Sequence, residues 1–374
     1  MMKVLLISNY LPDEQESMLR YARLVHGELN KRGVEAEIVY PPAVLTRLTG
    51  RSGALGKWVA YVDKYLLAPS VLRRAAKKVD VVHVCDHSNS MYLKCAGNKP
   101  SLITCHDLLA VFAAEGRFPG IHVGGTGKRL QRWIASGLKR ARVIVCVSHK
   151  TAEDTQELIG ESTAKLAVVP HSLNWPYHPV NQTETDAVLR KRGLAAGARY
   201  VLHVGSNSWY KNRPAVVKIF AALKQNAQFA ETKLLLAGKP WDEELSAAVE
   251  VSGCVRDIVQ VGDVSNEELR ALYSGAQLFL FPSREEGFGW PILEAQACGC
   301  LVATTNHAPM TEVAGDGAIL IDPLQPEAAA RAILEALPED QAIRERGLKN
   351  AATFTMDRSM KGLLEAYRSA IGRL

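Results

Sequence analysis

The sequence predicts an α/β protein built from two doubly wound, Rossmann-like parallel-sheet domains facing across a cleft. Three observations carry that prediction. The chain has 374 residues, too many for one ordinary core and suited to two domains of roughly 150 to 200 residues. Short apolar runs alternate with longer helical patterns from end to end, as βαβ units require. Most of the apolar runs are continuous Val, Ile and Leu rather than alternating, which suits parallel strands covered on both faces.

In chain order, strands are expected at 3–8, 36–40, 80–85, 101–105, 143–147 and 166–169. A second set is expected at 200–204, 233–237, 258–261, 277–281, 300–304 and 318–321. Helical patterns at 16–32, 212–225, 265–274 and 327–336 fill gaps between them. From His171 to Gln182, two prolines and several polar residues break both periodicities, as a linker does. The expected division is a first domain over 1–172, a linker and entry helix over 173–198, and a second domain over 199–352. A C-terminal helix over 353–374 is expected to pack back towards the first domain.

Composition removes several classes. Apolar residues make up 47% and charged residues 22%, so disorder is not expected. No stretch approaches the roughly 18 uninterrupted apolar residues of a membrane span. The start, Met1-Met2-Lys3 followed by Val4-Leu5-Leu6-Ile7, reads as a first strand rather than a signal peptide. Seven cysteines with no CxxC pair suit reduced, buried thiols and a cytoplasmic location. The net charge of +6 is uneven: residues 1–180 carry 24 Lys+Arg against 15 Asp+Glu, and residues 181–374 carry 21 against 24. The halves therefore stand at +9 and −3.

The strongest chemical signal runs from Phe281 to Gly299. A strand ending at Phe281 enters a loop holding Gly287 and Gly289, and Pro291 then opens a helix that Gly299 stops. Glycines before a helix N-terminus let backbone N–H groups approach an anion, with the helix dipole in support. Glu286 and Glu294 stand eight residues apart, so they reach two parts of one ligand. Hydroxyls at both ends with a diphosphate between them describe a sugar nucleotide. A capping box between Ser283 and Glu286 is the competing structural reading, but Pro291 sets the helix start too late for it.

Glu286-Gly287-Phe288-Gly289-Trp290-Pro291-Ile292-Leu293-Glu294-Ala295, continued to Gly299, resembles the Glu-x7-Glu frame of retaining glycosyltransferases of GT-B architecture, family 4. The resemblance extends to Gly262-Asp263-Val264 with the helix after it, to Asn306-His307-Ala308-Pro309, and to Asp322-Pro323. It implies that Glu294 binds the nucleotide ribose and Glu286 the donor sugar. Val264 would lie at the base, and Gly287, Phe288 and Gly289 would present backbone amides to sugar and diphosphate. In the loop after strand 200–204, Lys211 stands six residues after Gly205, where the family places its phosphate lysine. Many members carry a second cation directly after that glycine or before that lysine; here those positions are Ser206 and Tyr210. Arg213 and Arg284 are the candidate replacements.

In the first half, His106-Asp107 follows strand 101–105 and matches the family's His-Asp, which implies that His106 faces the donor sugar and Asp107 orients it. No cofactor and no metal are expected: no Asp-x-Asp pair occurs, and His83, Cys85, Asp86 and His87 lack a second cluster to complete a ligand set. The loop Asn9–Met18 departs from the paired glycines of many members, so the acceptor is not transferable from relatives.

Two basic stretches account for the charge of the first half. Arg47 to Lys78 holds eight Lys/Arg and one acid, Asp63, interleaved with Trp58, Tyr61, Tyr65, Leu66 and Leu67. Gly116 to Ala152 holds eight Lys/Arg and no acid, from Arg117 to Lys150. Both read as contact with an anionic membrane surface, or else as solvated basic faces of core helices. The function expected is a retaining, metal-independent transfer of a hexose from a UDP- or GDP-sugar to a glycan or lipid-linked acceptor. Its setting would be cell-surface polysaccharide or glycolipid synthesis, in the cytoplasm or peripheral at the cytoplasmic face of the membrane. A nucleotide-sugar epimerase and a non-catalytic sugar-nucleotide or lipid-binding scaffold are the alternatives. No recognition motif for nucleic acid accompanies the basic patches, and the oligomeric state is not readable.

Overall fold

The structure, a computed structural model, describes residues 2–49 and 53–372. It divides into two compact units, Met1–Asn174 with Met356–Leu374, and Trp175–Thr355. The first unit holds β1 (Lys3–Ile7), β2 (Glu35–Val39), β3 (Val81–Val84), β4 (Ser101–Cys105), β5 (Val143–Cys146) and β6 (Lys165–Val168). They form one sheet in the order β2-β1-β3-β4-β5-β6. The second holds β7 (Tyr200–Val204), β8 (Lys233–Ala237), β9 (Ile258–Gly262), β10 (Leu278–Phe281), β11 (Val302–Thr305) and β12 (Ile319–Ile321). Their order is β12-β11-β10-β7-β8-β9. Every pairing in both sheets is parallel.

Each expected strand is present within two residues of its place. The continuous apolar runs fall where both faces are covered: β3, β4, β5, β10 and β11 are buried throughout. β2 alternates in charge because it is an edge strand with Glu35 and Glu37 outward. The core of the first unit gathers Leu5, Ile7, Val82, Ile103 and Ile144; that of the second gathers Val201, Phe220, Leu234, Leu280 and Ile333.

Residues 173–198, read from sequence as a linker and entry helix, belong from Trp175 onward to the second unit. The Arg270 guanidinium lies 5.3 Å from the Trp175 ring, and the helix Gln182–Lys191 packs on the helix Asn266–Gly275. There Thr185 Oγ1 donates to Ala271 O at 3.2 Å. A Cβ on Gly275 would fall 2.2 Å from Thr185 Cγ2, so this crossing admits only glycine.

The C-terminal helix Met356–Ile371 belongs to the first unit. Met360, Leu363, Tyr367 and Ala370 recur at helical spacing and are all buried. Its polar anchor is deeper still. His83 Nδ1 lies 2.8 Å from Tyr367 Oη, His83 Nε2 lies 2.8 Å from Thr104 Oγ1, and Tyr21 Oη reaches the same threonine at 3.0 Å. Replacing Tyr367 by Phe keeps the packing and strands one nitrogen of a wholly buried imidazole. The urea midpoint of the first unit is expected to fall by the equivalent of about 1–3 kcal/mol, followed by near-UV circular dichroism.

Candidate functional site

In the second sheet the chain turns from β7 to β8 and β9 on one side, while β10 to β12 lie on the other. The loops leaving β7 and β10 therefore diverge at the sheet's switch point, where open parallel sheets bind ligands. The β7 loop begins at Gly205, whose N–H bonds Ala237 O at 3.1 Å, and a Cβ there would meet His203 Nε2 at 2.8 Å. It ends in a short 3-10 turn, Trp209–Lys211, closed by Asn212 in the left-handed conformation. The β10 loop ends at Gly289, whose φ of 106° makes the N-cap of the helix Trp290–Ala297 a glycine position. Pro291 is the second residue of that helix rather than its first, and no side chain caps it, so no capping box forms at Ser283 and Glu286.

Two hydrogen bonds stitch these loops together. Arg284 N donates to Tyr210 O at 2.7 Å, and Asn212 Nδ2 donates to Pro282 O at 3.1 Å. Between them Lys211 Nζ meets Glu286 Oε1 at 2.6 Å, with only 15% and 10% of the two side chains exposed. The ammonium also lies 5.0 Å from the Phe281 ring and 5.5 Å from that of Tyr210. Residues 75 apart in sequence thus form one charged pair at the switch point.

Glu294 is buried on the helix that follows and accepts a 3.1 Å bond from Tyr273 Oη. Burial, with the Glu294 charge beside it, holds the Tyr273 phenol protonated far above its usual range. Val264 is half-buried in the turn after β9, just before Ser265 caps the next helix in a capping box with Glu268. Phe288 is buried against Trp290 and Phe354. Ser206 Oγ lies 3.0 Å from Ser208 Oγ, so a hydroxyl pair stands where the sequence resemblance would put a second cation.

The candidate second cations separate cleanly. Arg213 is 3% exposed; its guanidinium reaches Asn207 Oδ1, Lys239 O at 3.0 Å and Gln260 Oε1 at 3.3 Å. It is neither solvated nor free for a phosphate: it ties the loops after β7 and β8 to strand β9. Arg284 is exposed, with its backbone fixed beside the turn that carries Lys211.

In the first unit, His106 follows β4 and is buried. Its Nε2 lies 2.9 Å from Cys85 O and its Nδ1 lies 3.2 Å from His171 Nε2. The carbonyl fixes Nε2 as the protonated nitrogen, so His171 donates to Nδ1. Asp107 does not orient this ring; it accepts from Leu109 N at 3.0 Å and starts the next helix. His171 is the residue that sequence reasoning passed over, although it stands just past the end of β6, where ligand-facing residues collect. Asp86, weighed in the sequence only as a metal ligand, is buried beside Asn9, Ser88 and His87. His87 Nδ1 approaches Asp86 Oδ1 to 3.2 Å without hydrogen-bond geometry, a contact of charges. Burial alone would raise the Asp86 pKa, but His87 and Ser88 hold it well below the carboxylate range.

The departing loop Asn9–Met18 is clamped rather than loose. Tyr10 Oη donates to the fully buried Asp63 at 2.9 Å, Asp63 accepts the N–H groups of Leu45 and Thr46 at 2.9 Å, and Lys64 pairs with Asp13 at 3.0 Å. His83, Cys85, Asp86 and His87 do not converge, and no group of three or more His, Cys, Asp or Glu is placed to hold a metal among the described residues.

The fold and this loop pair define a glycosyltransferase of the GT-B class. The glycosyltransferase family 4 profile matches residues 18–174, and that of glycosyl transferases group 1 matches residues 185–368. The chain belongs to this family. It is 26% identical over 272 residues to O-antigen chain mannosyltransferase B of Escherichia coli, covering 72% of this chain and 70% of that one. It is 29% identical over 285 residues to a GDP-mannose:cellobiosyl-diphosphopolyprenol alpha-mannosyltransferase of Xanthomonas oryzae pv. oryzae, covering 72% and 67%. Several other curated relatives are matched over only 35% to 57% of their own length. Sucrose-phosphate synthase from Thermosynechococcus elongatus shares the fold with a TM-score of 0.76 at 17% identity, over the whole of both chains.

Five buried histidines make stability depend on pH. Burial pushes His83 and His203 down to about 3 and lowers His106 and His171 as well. His87 moves the other way: burial opposes its charge, but Asp86 raises it. Above about pH 6.5 folded and unfolded chains both hold the four lowered imidazoles neutral. Below that, the unfolded chain binds protons that the folded one refuses, so stability falls with pH towards the folded-state values. Each such group costs about 1.4 kcal/mol per pH unit in that window, and His87 offsets one of them. A loss of about 2–4 kcal/mol is expected between pH 7 and 5.5, read from urea midpoints.

Proposed function

We propose that this glycosyltransferase is retaining and metal-independent, and that it moves a hexose, most simply mannose, from a nucleotide-diphosphate sugar to a glycan or lipid-linked acceptor. The observation that carries the reading is the Lys211–Glu286 pair, which brings a cation and a sugar-hydroxyl acceptor together at the switch point. A diphosphate leaving group needs positive charge as it departs, and fixed charge aimed at a transition state is usually the largest catalytic contribution. Lys211 would supply it, with Arg284 as the second cation and the amides near Gly287 and Gly289 facing the phosphates. Glu286 would take hydroxyls of the sugar and Glu294 the ribose, with Tyr273 holding the Glu294 carboxylate in place.

In the reaction the bond from the anomeric carbon to the phosphate oxygen breaks, and the acceptor oxygen bonds that carbon on the same face. The acceptor proton passes to the leaving phosphate. The mannosyltransferase names of two relatives, one with GDP-mannose and a diphosphopolyprenol acceptor, support the donor and acceptor classes and a place in surface-polysaccharide synthesis.

Membrane contact is the companion proposal. No described helix is long and apolar enough to cross a membrane, but Leu48, Leu66 and Trp58 are 80%, 71% and 66% exposed. Trp58, Tyr61, Tyr65 and Trp133 continue as a row of ring contacts 5.0–5.9 Å between centroids. Exposed Arg47, Lys128, Arg129 and Arg132 lie on the same or neighbouring segments in sequence, an aromatic and basic composition that suits an anionic interface. Arg51 and the side chain of Lys57, also in the first basic stretch, lie outside the described residues. The second stretch is less bare than its sequence: Arg117 pairs with Glu115 and Glu157, and Lys150 with Asp154, all acids just outside it.

Transfer measured with excess EDTA is expected to persist and to give a product with the donor's anomeric configuration by NMR. Lys211→Ala and Glu286→Gln are each expected to lower kcat/KM by about 10²–10³-fold, and Arg284→Ala by about ten-fold. Full activity of the first two variants would sink the assignment, and an epimerised nucleotide sugar formed without acceptor would replace it. In flotation assays, phosphatidylglycerol vesicles are expected to carry the wild-type chain but not Trp58→Ser/Leu66→Ser; equal flotation removes the membrane proposal.

A further inference from the structure

A cavity of about 430 Å³ lies in the first unit. Its walls carry Arg73 and Lys77 from the end of the helix Ala68–Ala76, Lys94 from the last turn of the 3-10 segment His87–Ala96, and Lys99 from the turn before β4. The floor is small and apolar, with Ala76 and Cys95 buried beneath the charges. No carboxylate lines it. Asp80, the acid nearest in sequence, accepts the backbone N–H of Lys3 at 2.8 Å instead.

The arrangement is not a by-product of helix capping. Cations near a helix C-terminus complement its dipole, and that accounts for one or two of them. Arg73 and Lys77, however, stand one helical turn apart on the same face, where like charges repel, and two more cations arrive from other segments. Among the described residues Arg73, Lys77 and Lys94 make no ion pair, while Lys99 is held by a 2.7 Å bond to Val79 O that fixes it on the rim. Four cations lining one concave apolar floor are complementary to a compact, multiply charged anion, with the Arg73 fork suited to two phosphate oxygens.

The cavity also sits at the wrong end of the sheet for the transfer reaction. Lys77 precedes β3 and Lys99 precedes β4, whereas His106 follows the carboxyl end of β4, a strand that spans about 15 Å. We infer that Arg73, Lys77, Lys94 and Lys99 form a second anion site, separate from the donor site, for a phosphomonoester or diphosphate group. The group is carried either by a soluble phosphate compound or by a lipid headgroup.

The test removes the donor-site contribution first. In the full chain carrying Lys211→Ala, inorganic pyrophosphate is titrated by calorimetry, with and without Lys77→Gln/Lys94→Gln. In parallel, the two chains are floated with vesicles containing phosphatidylglycerol. At least ten-fold weaker pyrophosphate binding in the doubly substituted chain assigns the site to a soluble phosphate; lost flotation assigns it to a headgroup. Unchanged behaviour in both arms, or no saturable binding in either, overturns the inference. Both lysines are exposed, so the fold is expected to persist, checked by an unchanged melting temperature and, in the chain with Lys211 intact, by unchanged transfer activity.

Discussion

The ion pair between Lys211 and Glu286 is the constraint on which the second unit's loop pair depends. Taking two charges largely out of water carries a desolvation penalty, and their attraction repays it only when the geometry is fixed. Much of the neighbouring structure does that fixing. Asn212 and Arg284 lace one loop to the other. Thr304 and Thr305 on β11 hold the exit of β10 through Phe281 O and Ser283 O. Arg213, itself buried, ties the β7 loop to that of β8 and to strand β9. A cation used in this way is held inside the fold, which is why position, rather than charge, separates Arg213 from the exposed Arg284.

The first unit solves a related problem with neutral groups. His106 and His171 stack with their rings 19° apart and share one hydrogen bond, and Tyr21 abuts both rings. Burial lowers both imidazoles, the His106 charge adds to this at His171, and the Cys85 carbonyl sets the tautomers of the pair. Asp86, His87 and Asp107 act on this pair by charge, and another buried carboxylate, Asp63, anchors the polar loop after β1. Three backbone or hydroxyl donors around Asp63 outweigh the burial that would otherwise raise its pKa. The Asn9–Met18 loop is thereby held by its own side chains.

Much of this was legible in the sequence because it rests on backbone requirements. Gly289 must adopt positive φ, Pro291 must lie in the first helical turn, and β10 must be apolar on both faces; each leaves a residue-type mark that is readable without coordinates. The twelve strands were legible for the same reason. What stayed hidden depends on side chains meeting from distant segments. His171 meets His106 across 65 residues, Tyr367 meets His83 across 284, and Arg213 turns inward only because Gln260 and Lys239 O await it. A single sequence names such residues but cannot orient them.

The uneven charge shows the same division between what composition reveals and what placement decides. The excess of +9 in residues 1–180 is not one basic face. Arg117 and Lys150 are neutralised by acids beyond the ends of an acid-free stretch. Lys64 is spent on Asp13 while lying 5.6–5.7 Å from three tyrosine rings. Among the others, two sets differ chemically. Arg47, Lys128, Arg129 and Arg132 are exposed on segments that also expose Leu48 and Trp133, and apolar groups beside cations favour a surface that is both anionic and oily. Arg73, Lys77, Lys94 and Lys99 instead ring a small concave floor, which favours a compact anion over an extended surface. Local shape therefore decides which partner each set of charges fits.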